Sequence, residues 1–112
     1  MTGLKKNSDF TAVYRDGKSK ADRCLVVYVL RKECGGNRFG VSVSKKVGNS
    51  VVRHRIKRRL KEIYRLNKDR YTESFDIAAI ARFAASGADY RTLEKSLLRL
   101  LSAQIPLREN QT

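Results

Sequence analysis

The residues with the clearest chemical potential lie at positions 45–70. This segment has eleven basic residues and two acidic ones, Glu62 and Asp69, so it carries +9 of the chain's net charge of +14. The basic residues are Lys45, Lys46, Arg53, Arg55, Lys57, Arg58, Arg59, Lys61, Arg65, Lys68 and Arg70. Solvated surfaces usually mix the two signs of charge, whereas clustered cations are typical of phosphate-binding surfaces. The segment therefore predicts a polyanionic partner, and nucleic acid is favoured over an anionic membrane or an acidic protein.

Catalytic residues are much harder to find in this sequence. His54 is the only histidine, and it stands among cations, whereas general acid and base catalysis usually needs paired groups that titrate near pH 7. No cluster of carboxylates has a spacing suited to two Mg²⁺ ions. Cys24 and Cys34 have no metal-ligand spacing and are too few for a disulfide framework. We therefore predict no catalytic residue in the protein.

Length and composition favour one globular domain across residues 1–112. The chain is 41% hydrophobic, enough to build a core, and its apolar runs are far shorter than the roughly 20 residues that a membrane span needs. Lys5, Lys6 and Asp9 interrupt the start of the chain, so we expect no signal peptide. A cytoplasmic location without membrane contact is predicted, and residues 107–112 are expected to be disordered.

Residue patterns predict an α+β sandwich with one small sheet. A helix is expected at residues 7–16, and strands at 24–30 and 38–44, which we pair as an antiparallel hairpin. A long helix follows, capped by Asn49 or Ser50. Residues 75–82 predict another strand, although their alanines also allow a helix. A helix capped by Asp89 should run to about residue 104. The strand after the long helix indicates a β-α-β unit.

The long helix should have one apolar face and one cationic face. At 100° per residue, the apolar side chains fall within about 80° of arc, and most cations fall within about 100° on the opposite side. The apolar set is Val52, Ile56, Leu60 and Ile63, with Tyr64 beside it. Arg53 and Arg59 flank that set. Such a helix can pack on a sheet while it presents charge to a ligand.

The segment at residues 39–62 closely resembles the signature of the protein subunit of bacterial ribonuclease P. A strand that ends in Ser-Lys-Lys-x-Gly-Asn at residues 44–49 leads into a helix with Arg-x-Arg-x-Lys-Arg at residues 53–58. Asp-Phe-x-x-Val-Tyr at 9–14, Gly-Lys-Ser at 17–19 and Ile-Ala-Arg at 80–82 also match. The resemblance covers nearly the whole chain. One departure is His54, since the family usually has Asn between the two arginines.

This resemblance implies the fold and the activity. The fold is an α+β two-layer sandwich, α-β-β-β-α-β-α, with a four-stranded sheet and a left-handed β-α-β crossover. The activity is that of an accessory subunit of an endoribonuclease, which removes the 5′ leader from precursor tRNA. The RNA subunit is the catalyst and requires Mg²⁺, which we expect to be bound mainly by RNA. The implied partners are this RNA and precursor tRNA, with no stable protein partner.

The resemblance also implies two sets of contact residues. One set should contact the RNA subunit, because guanidinium and ammonium groups bind phosphates: Arg53, His54, Arg55, Lys57, Arg58, Arg59, Lys61 and Arg65. The other set should contact the leader or the tRNA: Phe10, Tyr14, Tyr28, Ser42, Ser44, Lys45, Lys46, Asn49 and Arg82. Its aromatic rings could instead be plain core, and Asn49 could instead be only a helix cap.

Three other functions have the same basic character. A general RNA-binding module, such as a ribosomal protein or an RNA chaperone, is the main alternative. A self-sufficient protein nuclease would cleave RNA without an RNA subunit and would depend on His54. A duplex DNA-binding protein would place the basic helix in a groove, and competition between RNA and DNA at matched salt would reveal it.

Overall fold

A four-stranded mixed sheet organises the computed structural model, which describes residues 3–4, 7–72 and 74–108. The strands are β1 (Lys18–Ala21), β2 (Leu25–Arg31), β3 (Arg38–Ser42) and β4 (Phe75–Ala81). Their order across the sheet is β1-β2-β4-β3, and only the β3–β4 pair is parallel. The helices are α1 (Asn7–Asp16), α2 (Ser50–Asn67) and α3 (Tyr90–Ser102), with short 3₁₀ helices at Lys68–Arg70 and Phe83–Gly87. The α-β-β-β-α-β-α order is confirmed.

The predicted hairpin of the second and third strands is wrong, because β4 lies between them. Ala79 of β4 pairs with Val27 on one side and with Val41 on the other. Six of the seven residues of β4 are buried, so this strand needs a neighbour on each edge and a covering layer on each face. β2 and β3 are consecutive in sequence, but both pair with a strand that follows more than 30 residues later.

Helices α2 and α3 cover one face of the sheet. Alternate side chains of the strands, such as Val27, Val41 and Ile77, form one buried cluster with apolar residues of both helices. The helical residues of that cluster are Ile56, Leu60, Ile63, Tyr64, Leu93, Leu97, Leu100 and Leu101. The rings of Phe39 and Tyr64 stack at 4.4 Å between centroids. The apolar face predicted for α2 is therefore the face that packs on the sheet.

Helix α1 covers only part of the opposite face. Val13 of α1 is fully buried against Ala78 of β4, and Phe10 packs at the edge of the same cluster. Phe10 can approach closely because β3 has a glycine there: a Cβ atom at Gly40 would come within 2.6 Å of the Phe10 ring. Val26 and Ile80, paired in register between β2 and β4, are only half-buried on this face. We call the open part of this face beside α1, around Val26 and Ile80, the cleft.

Two predicted caps fix the starts of the long helices. Asn49 Oδ1 accepts a hydrogen bond from Val52 N at 3.0 Å, and Asp89 Oδ1 accepts one from Thr92 N at 2.8 Å. Because β3 and β4 are parallel, their C-terminal ends lie at the same end of the sheet, and α2 begins there after the turn that follows β3. The cationic helix and the last residues of β4 therefore share one end of the molecule.

The last described residues, Leu107 and Arg108, contact the segment that follows α2. Leu107 forms an isolated β-bridge with Tyr71, and Arg108 N donates to Arg70 O at 2.8 Å. Residues 109–112 lie outside the described residues. Both cysteines are free, Cys24 buried and Cys34 exposed. Across the ranges described, no helix has the length and apolar character that a membrane crossing demands.

Candidate nucleic-acid interface

The cations of α2 face solvent with almost no carboxylate partners. His54, Arg58, Lys61 and Arg65 are exposed, and the other predicted members, Arg53, Arg55, Lys57 and Arg59, are half-buried along the flanks. Among the ion pairs of the described residues, only Glu62–Arg65 involves this helix, at 2.7 Å. The field of the remaining cations is therefore not neutralised by the protein itself. The structure brings the predicted RNA-subunit set together on one helix.

Two arginines of α2 also hydrogen-bond the protein backbone. Arg53 Nε donates to Gly48 O at 3.2 Å, and a terminal nitrogen of Arg59 donates to Ala88 O at 3.5 Å. A guanidinium group has five N–H donors, so each of these arginines keeps donors for a phosphate. The backbone contacts fix the direction of the side chains and reduce the rotamer entropy that binding would cost. Arg53 lies near the start of α2, whereas Arg59 reaches toward the segment before α3.

Three aromatic rings form a continuous row in the cleft on the other face. The centroids of Phe10 and Tyr14 are 6.0 Å apart, and those of Tyr14 and Tyr28 are 5.0 Å apart with an edge-to-face geometry. Tyr14 also hydrogen-bonds the Ser42 side chain. Burial raises the pKa of the Tyr14 hydroxyl above its ordinary value, and the bond to Ser42 opposes this in part. Tyr14 is therefore neutral at pH 7, and it still exposes 36% of its surface.

The remaining residues of the predicted leader set lie at the ends of β3 and β4. Ser44, Lys45 and Lys46 are exposed in the turn that follows β3. Arg82 follows β4, and its terminal nitrogen donates to Asp22 O at 3.0 Å. The oxygen of Asn49 accepts the capping hydrogen bond of α2, and its two amide N–H donors remain for a ligand. These residues border the end of the cleft, but the structure gives them no contact with the aromatic row.

A cluster of four charged residues beside the cleft was missed by the sequence analysis. Arg38 on β3 donates to Asp76 on β4 at 2.7 Å and reaches Asp9 on α1 at 3.4 Å, while Lys32 also pairs with Asp76 at 3.0 Å. Burial alone would raise the pKa of the Asp76 carboxyl, but hydrogen bonds and charge from Arg38 and Lys32 hold it below its ordinary value. One signal was available, since Asp76 interrupts an otherwise apolar strand.

The described residues contain no cluster of the side chains that usually ligate metals. They contain no group of three or more His, Cys, Asp and Glu side chains that could hold an ion. The carboxylates that do lie close to the cleft are paired with cations, and His54 is exposed on α2 without a carboxylate beside it. This donor set does not fit a resident Mg²⁺ ion, so we derive no reaction step through a metal held by this chain.

Known proteins resemble this chain in sequence. The family model for ribonuclease P matches residues 2–104. A ribonuclease P protein component of Clostridium botulinum (strain Langeland) is 48% identical over 99 residues, which is 88% of this chain and 89% of the relative. The one from Alkaliphilus metalliredigens is 48% identical over 98 residues, with 88% of each chain covered.

Solved structures give the same result. The Staphylococcus aureus RNase P protein superposes with a TM-score of 0.86 at 37% identity, covering 94% of this chain and 97% of that one. The Thermotoga maritima RNase P protein gives 0.83 at 31% identity, with 92% and 97% covered. Sequence and structure therefore lead to one conclusion: the chain belongs to the family of ribonuclease P protein components.

Proposed function

We propose that this chain is the protein subunit of a cytoplasmic ribonucleoprotein, ribonuclease P, that removes the 5′ leader from precursor tRNA. The observation that best supports this proposal is the row of cations on α2, which has almost no carboxylate partners among the residues that the structure describes. In the proposed complex these cations contact the phosphates of the RNA subunit. Each neutralised phosphate releases counterions, so affinity should fall steeply with salt. The backbone bonds of Arg53 and Arg59 aim two of the guanidinium groups before RNA arrives.

The aromatic cleft is the proposed site for the leader. Leaders differ in sequence among tRNA precursors, so their binding must tolerate any base. Stacking of bases on aromatic rings meets this need, because every base has a π-face. Tyr14, neutral and partly exposed, and Phe10 offer ring surface, while Lys45, Lys46 and Arg82 offer charge for the leader backbone at the end of the cleft.

Catalysis is assigned to the RNA subunit. The proposed reaction is hydrolysis of one phosphodiester bond, and Mg²⁺, which supplies the Lewis-acid chemistry, is bound mainly by RNA in this proposal. What the chain's own residues do is bind the RNA subunit and hold the leader, which improves substrate affinity and supports function at low Mg²⁺. The proposal needs neither a membrane nor a stable protein partner.

The test is a cleavage assay on 5′-labelled precursor tRNA at low Mg²⁺. The arms are protein alone, bacterial ribonuclease P RNA alone, both together, and both with an Arg53/Arg55 double alanine variant. We expect efficient cleavage only from the wild-type pair. A matched control is the Arg91/Lys95 double alanine variant, which removes the same charge from exposed positions of α3 and should retain activity. Thermal unfolding of both variants checks that they are folded, because Arg53 also bonds Gly48.

Two outcomes would contradict the proposal. Cleavage at the same site by protein alone would make the protein the catalyst, and loss of that cleavage in His54→Ala would identify the residue responsible. Failure of the protein to assist the RNA under any condition would leave a general RNA-binding role, such as that of a ribosomal protein or an RNA chaperone.

A further inference from the structure

A small groove lies between residues 23–24, just before β2, and the segment that runs from Phe83 to the start of α3. It adjoins the most exposed aromatic ring among the large hydrophobic side chains described. Phe83, at the start of the 3₁₀ helix Phe83–Gly87, exposes 73% of its surface. The groove has a volume of about 470 Å³ and is also lined by Arg23, Ser86, Asp89 and Thr92. This size lies within the range of small-ligand sites.

Phe83 is not needed to fasten its own segment. Within the same 3₁₀ helix it is Ala85 that is buried against the main core, at 1% exposure. Single exposed apolar side chains are common on protein surfaces and need no special explanation. Phe83 differs because its ring forms one wall of a concave site whose other walls carry hydroxyl, carboxylate and guanidinium groups. Apolar surface beside a few polar groups is typical of a binding site.

The groove is continuous with the basic helix. Ala88, which lines it, accepts the hydrogen bond from Arg59 of α2 at 3.5 Å. On the other side, Arg82 immediately precedes Phe83 and is held by Asp22 O, and Arg23 is exposed beside it. Cations therefore flank the aromatic wall on both sides. An RNA strand bound along α2 would pass this groove without leaving the positive surface.

We infer that the groove holds one unpaired base of the RNA subunit, stacked on Phe83. This inference rests on the proposed function and adds a contact to it. The occupant is a base rather than a lone phosphate, because the Asp89 carboxylate lies in the groove and would repel an anion. A base presents a π-face to Phe83 and polar edges to Ser86 and Thr92, while its flanking phosphates can meet Arg23 and Arg59. The charge of these flanks disfavours an apolar protein partner.

The test measures affinity for the RNA subunit alone across a series of salt concentrations. Stacking of a base on an aromatic side chain is worth about 1–3 kcal/mol, so Phe83→Ala should weaken binding about 5-fold to 150-fold. The slope of log affinity against log salt should not change, because no phosphate contact is lost. An Arg55→Ala variant, measured in parallel, should change that slope. Unchanged affinity in Phe83→Ala would overturn the inference.

Further variants separate stacking from simple apolar contact. Phe83→Trp should bind at least as tightly as wild type, and its fluorescence should be quenched by the RNA subunit. Phe83→Leu should lose affinity as Phe83→Ala does; full retention by Leu would show that no stack forms. Gly87→Leu tests the groove itself, since Gly87 does not have a positive φ angle and a Cβ there would meet nothing within 4 Å. It should weaken binding, whereas Gly87→Ala should not.

Controls separate this inference from the proposed function. Leu107→Ala removes another exposed apolar side chain, 55% exposed and bridged to Tyr71 rather than to the groove, and should bind like wild type. If wild-type protein binds the RNA subunit and Phe83 variants do the same, only the stacked base is refuted. If wild-type protein does not bind that RNA, the proposed function fails. A Phe83 effect seen only with precursor tRNA present would assign the groove to the substrate and overturn our choice of occupant.

Discussion

The cations of α2 and the cations beside α1 differ in how they are paired. On α2, Arg65 alone has a carboxylate partner within ion-pair distance among the described residues. Beside α1, Arg38 contacts both Asp9 and Asp76, and Lys32 contacts Asp76 as well. Both groups contain Lys and Arg, so composition does not separate them. Their surroundings do, because one group faces solvent and the other surrounds a carboxylate that is only 4% exposed.

This difference indicates which cations hold the fold and which are left for a ligand. A buried carboxylate must be paired, since an unpaired charge in the interior costs several kcal/mol. The Arg38 cluster therefore ties α1 to β3 and β4 and fixes one wall of the cleft. Unpaired exposed cations contribute little to folding, and at a net charge of +14 they repel each other. Neutralisation by phosphate would relieve that repulsion.

The largest effect should come from Asp76→Asn. The substitution leaves Arg38 and Lys32 without the carboxylate that both contact, and we expect a loss of about 2–3 kcal/mol in the free energy of unfolding at pH 7. This is less than the roughly 3–5 kcal/mol typical of a broken buried pair, because both cations can still reach water. Urea unfolding measures the loss. The salt slope for RNA binding by the folded variant should match wild type; a reduced slope would show that the two groups of cations are not independent.

The pH dependence of that difference is a second check. The folded pKa of Asp76 lies below its unfolded value, so the carboxylate stabilises the protein above the unfolded pKa, and this contribution is lost as pH falls through the folded value. The gap between wild type and Asp76→Asn should therefore be full at pH 7 and should shrink below about pH 4. A gap that stays constant into acid would mean that packing, rather than charge, sets the cost.

A smaller effect is expected on the aromatic side of the comparison. Phe10→Ala removes a ring that adjoins Tyr14, and holoenzyme binding to precursors with a leader should weaken by about 1–3 kcal/mol, while mature tRNA is spared. Phe10→Leu is the matched variant, since it keeps apolar contact with Gly40 but offers no ring to a base. Equal losses on precursor and mature tRNA would assign Phe10 to the core instead.

Arg55→Ala should sharpen the comparison on the side of α2. Arg55 is half-buried on the flank and pairs with no carboxylate of the described residues, so its removal should leave the free energy of unfolding nearly unchanged. Affinity for the RNA subunit should fall about tenfold, and the salt slope should drop by about 0.7–0.9, as expected for one phosphate contact. Affinity that falls without a change in slope would argue against a direct phosphate contact at this position.

Sequence patterns predicted the elements better than their neighbours. The apolar stripe of α2 follows from helical periodicity and its cap from the residue types before it. The strand at 75–82 follows from its apolar residues and its place after α2, and all three are confirmed. Periodicity shows which side chains face a core but not which strand lies alongside, so the insertion of β4 between β2 and β3 could not be seen. β1 left no pattern of its own, because all four of its residues are exposed. Only the family resemblance predicted a strand there.

The residues of the candidate site were likewise predicted where spacing or the resemblance indicated them, and were missed where they depend on the tertiary fold. The helical spacing placed the α2 cations on one surface, and the resemblance supplied Phe10, Tyr14, Tyr28 and Ser42, which the structure brings into one cleft. The Arg38 cluster depends on three elements that are distant in sequence, so spacing alone could not reveal it. The exposure of Phe83 likewise depends on how the segment after β4 turns away from the core.

The smallest effect should come from Glu62→Gln, which breaks the one ion pair that α2 makes among the described residues. Glu62 holds Arg65 in an exposed pair and its own pKa is lowered by that hydrogen bond, so Glu62→Gln frees the guanidinium without disturbing the core. Affinity for the RNA subunit at low salt should rise by at most about twofold, with a slightly steeper salt slope.

Arg65→Ala is the companion variant. If Arg65 reaches RNA only after Glu62 is neutralised, the effects of the two substitutions will not add, and the double variant will bind like Arg65→Ala alone. Additive effects would instead show that Glu62 acts through long-range repulsion of the RNA. Pairing with Glu62 would then not decide whether Arg65 is available to the RNA.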